Sequence, residues 1–385
     1  MNILYINDPT CVHGFKWISY FSNQTDKYKC FLIGQQHQDK KLDNLTRKKL
    51  SDNHIEYLPP VFEFSVTRVP RTIKDFQYIK QILIEKKINL IHIMYAEPSA
   101  LWGLGRNYFN VPMVLTTRGT DVLITIPNLI QRKHPFYYLL KKLFIKSFNN
   151  IDFITHTSSP QQQIVLKLFT PLINKTAIIR TGINIDLIKK DTKDYALDLL
   201  KDRAYIFFPR NMTPLYNHEL TLDAIELLPQ KISDCYNFVF LHKNGTSIEY
   251  IEMIKNRMDT IQNAKFIFLE DYTQETIFEI FKNASLVVMN PKSDGSPVTA
   301  LEAMYLEIPV ILGPLAYDKD LFDDTTFQIK KWDAKELADL ITYVLENKNE
   351  EYIQNLIRNA KLRVEDKANT IKEVKKIEEI YKKLT

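Results

Sequence analysis

Short unbroken apolar runs alternate along this chain with longer stretches at helical spacing. In the first half the runs are Ile3–Ile6, Cys30–Ile33, Ile55–Leu58, Leu90–Met94, Met113–Thr117, Phe153–Thr157 and Ala177–Ile179. In the second half they are Tyr205–Phe208, Phe238–Leu241, Phe266–Leu269, Leu286–Met289 and Val310–Leu312. A run that is apolar at every position suits a strand buried on both faces, and intervening helices suit parallel crossovers, so the pattern predicts an α/β protein with parallel sheets covered on both sides. Near 185–203 the pattern breaks: the segment is charged, carries no strand signal and leads into a fresh strand at Tyr205. It divides the chain into a domain at 1–190 and a second at 191–370. Ile371, Val374, Ile377, Tyr381 and Leu384 then recur at helical spacing. They predict a terminal amphipathic helix, 371–385, that crosses back to pack near the first domain. Doubly wound sheets bind ligands beyond the carboxyl ends of their strands, where strand order reverses. Two such domains facing a cleft would offer one wall to a nucleotide and the other to an acceptor.

Length and composition agree with two cores: the chain has 385 residues, of which 45% are apolar. It holds only 9 glycines, so any phosphate-binding loop must be short. The net charge of +5 is spread along the chain rather than gathered in patches, which argues against nucleic acid. It suits an anionic small molecule or an anionic membrane surface. Cys11, Cys30 and Cys235 are too few and too far apart for a disulfide framework or a zinc site, and read as reduced thiols in a cytoplasmic protein. The opening MNILYIND enters a strand pattern directly, without the features of a signal peptide, and no run of ~18 apolar residues is present.

The segment 289–313, MNPKSDGSPVTALEAMYLEIPVILG, carries the most chemistry. A buried strand runs into the loop Asp294-Gly295-Ser296-Pro297, where Ser296 suits an N-cap and Pro297 the first helical position. The helix that follows offers free N–H groups at Val298 and Thr299, and its dipole favours an anion there such as a phosphate. Val298, Leu301 and Tyr305 form an apolar stripe, while Thr299 and Glu302 share an adjoining face. Glu302 could thus accept hydrogen bonds from two ribose hydroxyls, with Asp294 above it near the sugar. Taken alone, Glu302 also reads as an ordinary helix residue and Asp294 as a turn former.

This segment resembles the donor-binding signature of retaining GT-B transferases of glycosyltransferase family four, the glycosyl transferases group 1. The signature is an acidic residue, seven intervening residues, Glu, then Ala-Met and a Pro-Val strand; here it reads D-GSPVTAL-E-AM-YLEI-PV. The resemblance implies the GT-B fold of two Rossmann-like domains, with Glu302 on the ribose, Asp294 on the donor sugar, and amides near Pro297–Thr299 on phosphate. The first acidic position is usually Glu, and this chain has the shorter Asp.

Other segments align in the same order. In YIFFPRNMTPLYN, Arg210 matches the family's phosphate-binding Arg. The Lys that often follows is missing, leaving His218 as the one other candidate before Ala224, with Lys243 in LHKNG as a substitute cation. The segment VLTTRGTDVL resembles the family's T-x-H-G-[ST]-D, with Arg118 where His is common and Asp121 at the usual Asp. This makes Arg118 and Asp121, with Asp294, the catalytic candidates. Arg210, Lys243, Gly295, Ser296, Pro297, Val298, Thr299 and Glu302 form the donor-binding set. His13-Gly14 is a partial match to an acceptor loop, and Glu97 is a further cleft candidate that reads more readily as structural. No metal or further cofactor is implied, since Arg and helix amides can neutralise the phosphate and no Asp-x-Asp pair follows a strand; the nucleotide sugar is a co-substrate.

The helical stretch 134–150 mixes aromatics and leucines with His134, Lys141, Lys142 and Lys146 and contains no acidic residue. It predicts a peripheral contact with the inner face of the cell membrane; packing on the first sheet with a solvated lysine face is the alternative. The expected function is glycosyl transfer, with retention implied, from a nucleotide sugar to a glycan or lipid-linked glycan of surface polysaccharide or glycoconjugate synthesis. The rival readings are a sugar-nucleotide epimerase or phosphorylase on the same fold and a non-catalytic GT-B partner subunit.

Overall fold

The computed structural model describes residues 1–36, 42–169, 173–189, 200, 203–242, 247–270 and 274–385. The chain forms two compact units: Met1–Thr181 with Thr370–Thr385, and Gly182–Asn369.

In the first unit, seven strands make a fully parallel sheet: β1 (Asn2–Ile6), β2 (Lys29–Gln36), β3 (Ile55–Phe62), β4 (Leu90–Ile93), β5 (Met113–Thr117), β6 (Phe153–His156) and β7 (Thr176–Ile178). Their order is β3-β2-β1-β4-β5-β6-β7, so the chain reverses direction across the sheet between β1 and β4. Each apolar run predicted here contributes a strand. Ile3–Ile6 are buried on both faces because Leu4 and Ile6 enter one core while Ile3 and Tyr5 enter the other. The terminal helix Thr370–Leu384 belongs to this unit and closes the second of those cores with Val374, Ile377 and Tyr381. Each fully buried side chain of that size contributes roughly 1.5–3 kcal/mol. Tyr381 packs on Phe21 with ring centroids 5.0 Å apart, and Glu378 accepts a hydrogen bond from Tyr28 at 2.8 Å. Ile371, expected on the apolar stripe, is exposed, and Ile380 takes a buried position instead.

The second unit repeats the plan with six parallel strands: β8 (Ala204–Phe208), β9 (Tyr236–Leu241), β10 (Lys265–Leu269), β11 (Leu286–Met289), β12 (Val310–Leu312) and β13 (Phe327–Gln328). The order β10-β9-β8-β11-β12-β13 reverses between β8 and β11. The two-residue β13 is too short to leave an apolar run in the sequence.

The first domain was expected to run to 190, yet the chain enters the second unit at Gly182. The Ile183 N–H donates to Ala368 O at 2.8 Å, Ile183 pairs with Asn369, and Ile183, Ile185 and Ile188 are buried in that unit's core. Of the charged link expected near 185–203, the described beginning is a short helix, Ile185–Lys189, and most of the rest lies outside the described residues.

Candidate active site

In the second unit the reversal between β8 and β11 brings two distant loops together. Arg210 follows β8, Asp294 follows β11, and the strands are neighbours in the sheet. The Arg210 Nη2 donates to Asp294 Oδ2 at 2.6 Å, an ion pair between residues 84 apart in sequence, with side chains 18% and 21% exposed. The same guanidinium lies over the Tyr216 ring, 5.0 Å from its centroid, and its Nε is buried without a partner. The other carboxylate oxygen, Asp294 Oδ1, accepts from the Ser296 N–H at 3.2 Å, which folds the loop towards the helix Val298–Tyr305. Gly313, at the end of β12, allows the close packing here: a Cβ on it would stand 2.9 Å from the Asn290 Cα.

The start of this helix differs from the sequence expectation. Pro297 is the cap residue, with an extended ψ of 110°, and Val298 is the first helical residue; Ser296 lies outside the helix and caps nothing. The N–H groups of Ala300 and Leu301 bond back to Pro297 O, at 3.0 and 3.3 Å. Pro297 supplies no capping side chain, and the Val298 and Thr299 N–H groups belong to the first turn, an arrangement that suits an anion. Ala300, Leu301, Ala303, Met304 and Tyr305 are buried, while Thr299 and Glu302 are half-buried on the open side. The sequence-predicted pairing of Thr299 with Glu302 on one face is therefore present.

One expectation about cations changes. His218, the remaining candidate after Arg210, is buried, its Nε2 is 3.0 Å from Asn211 O, and burial lowers its pKa. A neutral imidazole offers no charge to a phosphate at neutral pH. Lys243 lies outside the described residues.

Sequence reasoning missed Tyr317. It is buried, its hydroxyl has no hydrogen-bond partner, and its pKa is raised by burial and then by the Asp294 charge, with Arg210 pulling the other way. It also missed Asn290, whose Oδ1 accepts from Thr221 at 3.2 Å, whereas Tyr216 beneath Arg210 lies in the Pro214-Leu215-Tyr216-Asn217 loop that the sequence does mark. No local pattern marks Tyr317 or Asn290; each acquires its place only when the strand ends converge.

In the first unit, Arg118 and Asp121 follow β5, beside the β1–β4 reversal. Asp121 is fully buried and accepts from the N–H groups of Ala96 (2.8 Å), Arg118 (3.1 Å), Gly119 (2.8 Å) and Val122 (2.9 Å). Burial raises its pKa and these four bonds pull against the rise. Gly119 sits at φ +133°, a region side-chain-bearing residues avoid, so the turn around this carboxylate depends on glycine. Arg118 lies 4.4 Å over the Trp17 ring and donates to Met94 O at 3.4 Å and Thr181 Oγ1 at 3.3 Å. Its Nη2 is buried without a partner, and burial lowers its pKa to about 10, so it remains charged at neutral pH. Gly14 is buried where a Cβ would collide with the Asn7 side chain, so the first turn of Val12–Ser22 packs closely on the end of β1.

Two parallel Rossmann-like units, each with candidate site residues at its strand-order reversal, define the GT-B class of glycosyltransferases. Residues 2–158 match the model of the glycosyl transferase 4-like family, and residues 189–363 match that of the glycosyl transferases group 1. The chain belongs to these glycosyltransferases. No curated protein matches it. A glycosyltransferase from Rickettsia africae shares the fold at a TM-score of 0.80 and 15% identity, covering 100% of this chain and 98% of that one. Anabaena HepE in complex with UDP follows at 0.75 and 14%, with 100% of both chains covered. Sucrose-phosphate synthase from Thermosynechococcus elongatus gives 0.75 and 15%, covering 100% and 99%. At these identities the likeness is one of fold.

Proposed function

We propose that this glycosyltransferase takes its sugar from a nucleotide donor held by the second unit and passes it, with retention, to a glycan or lipid-linked glycan acceptor in surface polysaccharide or glycoconjugate synthesis. The observation that carries the reading is the joined Arg210–Asp294 pair at the mouth of an uncapped helix that presents Thr299 and Glu302 on one face. In this account Glu302 accepts from the ribose hydroxyls. Arg210 and the amides of Gly295, Val298 and Thr299 take the diphosphate, with Ser296 held in the loop by its N–H bond to Asp294 and Pro297 fixing the start of the helix. Lys243 is the proposed second cation. Asp294 holds Arg210 in place before the donor arrives and then contacts the donor sugar. HepE, solved with UDP, UDP and glucose, and UDP-glucose, supports a donor of this class. A trehalose-6-phosphate synthase described as transferring with retention shares the fold at a TM-score of 0.72, which supports that stereochemistry.

In the transfer step an acceptor hydroxyl oxygen bonds to the anomeric carbon from the face the phosphate leaves. The bond from that carbon to the phosphate oxygen breaks, and the acceptor proton passes to the departing phosphate. Charge grows on the leaving group, and Arg210 and the helix start are fixed before it develops, so they stabilise it without reorganising. Arg118 is the proposed cation on the acceptor side, and Asp121 is a positioning residue that shapes the Arg118–Val122 turn. No metal is required in this scheme. The stretch 134–150 is proposed to touch the membrane peripherally; among the described residues no helix is long and apolar enough to cross one. The test is NMR of the anomeric proton in product formed from UDP-glucose and related donors with an oligosaccharide panel. Product of the donor's own anomeric configuration is expected. An inverted product refutes retention, and epimerised donor formed without acceptor refutes transfer.

A further inference from the structure

The helix Pro135–Asn150 is only partly used by the core: Phe144, Ser147 and Phe148 are buried, while Tyr138 and Leu139 are left exposed. Beside it the helix Val69–Glu85 likewise leaves Val69 and Ile73 outside. Between them opens a cavity of about 310 Å3, lined by Phe64, Val69, Ile73, Phe76, Leu139 and Leu143 among others. The slot is open to the surface and its lining is almost wholly apolar. Water gains little in such a slot, whereas each methylene group moved into it is worth ~0.8 kcal/mol.

Its rim is cationic. Lys142 and Lys146 stand three residues beyond Leu139 and Leu143, on the same side of their helix, and both are exposed. Arg68 precedes Val69 and is exposed too. The sequence has no Asp or Glu between Asp121 and Asp152, and on the other side Glu63 and Asp75 neighbour the lining residues Phe64 and Phe76, with Asp75 buried. An apolar slot with Arg68, Lys142 and Lys146 exposed at its rim complements a molecule with an anionic head and an alkyl chain.

We infer that this slot receives an acyl chain of an anionic phospholipid, anchoring the enzyme on a charged bilayer through the gap between the two helices. The inference deepens the peripheral contact proposed above and rests on it, and it does not depend on sugar transfer. Trp102 provides the reporter: it is buried behind the slot, 5.1 Å from Phe76 and 5.7 Å from Phe64 between ring centroids.

The full chain would be mixed, without nucleotide or acceptor, with phosphatidylcholine vesicles with or without phosphatidylglycerol, the acyl chains brominated or plain. Binding to the phosphatidylglycerol vesicles is expected to weaken as salt rises. Brominated chains are expected to quench emission in the wild type and to lose most of that effect in Trp102→Phe. Ile73→Asp with Leu139→Asp, both at positions more than half exposed, should keep the far-ultraviolet circular dichroism and lower vesicle binding at least tenfold. Salt-sensitive binding with no Trp102-dependent quenching overturns the slot and leaves a flat surface contact. No binding to either vesicle overturns both the slot and the peripheral contact, while transfer to a soluble acceptor would still stand. A dimer that Leu139→Asp dissociates, with no lipid effect, assigns the slot to a second copy of the chain.

Discussion

Replacing Asp294 by Asn separates two roles that the structure joins in one carboxylate. In the free protein Asp294 neutralises Arg210 at 2.6 Å, with both side chains about four-fifths shielded from solvent. The substitution preserves shape and removes the charge. Arg210 is then left partly buried with a neutral partner, which costs about 1–2 kcal/mol, below the figure for a fully buried pair because water still reaches both groups. For a unit the size of Gly182–Asn369, that cost lowers the melting temperature by roughly 2–8 °C. A nucleoside diphosphate should behave oppositely. With the competing carboxylate gone, Arg210 is available to phosphate, so UDP is expected to bind Asp294→Asn at least as tightly as the wild type and to raise the variant's melting temperature by more. The extra affinity of a UDP-sugar over UDP should shrink, because the sugar contact is weakened. The assay is a thermal melt with and without UDP and UDP-glucose, paired with calorimetry. A variant that melts with the wild type, and whose UDP and UDP-glucose affinities are both unchanged, would refute the reasoning about this pair.

Two further predictions concern the first unit. Asp121→Asn turns an oxygen that accepts backbone N–H bonds into an amide donor facing them, and should destabilise by about 2–4 kcal/mol in urea unfolding; a loss below ~1 kcal/mol would mean the turn does not depend on this carboxylate. His92 and His156 are buried with pKa values lowered by burial to about 3. The unfolded chain therefore takes up protons that the folded chain refuses, and stability should fall as pH drops from about 6.5 towards 3, each histidine contributing about 1.4 kcal/mol per pH unit. Urea unfolding across that range should show a shallower slope for His156→Asn, and an unchanged slope would contradict the assignment.

Much of the fold could be read directly, because parallel strands buried on both faces must be apolar at every position. Ile3–Ile6 and Leu286–Met289 stand out for that reason. The helix carrying Glu302 was also legible, since Thr299 and Glu302 lie within one turn and helical geometry alone puts them on one side. The ion pair of Arg210 with Asp294 was not, because it depends on β8 and β11 becoming neighbours, and strand order leaves no local trace. Tyr317 escaped notice for the same reason. The shift of the helix cap from Ser296 to Pro297 was missed because both residues suit a helix start, and the choice is made by Asp294 drawing the Ser296 N–H into the loop. Across the unit boundary, the isoleucines at 183, 185 and 188 lie in a segment dominated by charge, yet they seal the second core.

The central claim is that a nucleotide donor sits on the second unit with its ribose on Glu302, and calorimetric titration of uridine and UDP into wild type, Glu302→Ala and Arg210→Ala tests it most directly. Removing Glu302 should weaken UDP and uridine by the same factor, about 1–3 kcal/mol or roughly 5- to 150-fold, since the lost bonds are to the ribose that both share. Removing Arg210 should weaken UDP and leave uridine nearly unchanged. Wild-type affinity for UDP in Glu302→Ala, with the fold intact, would contradict the account.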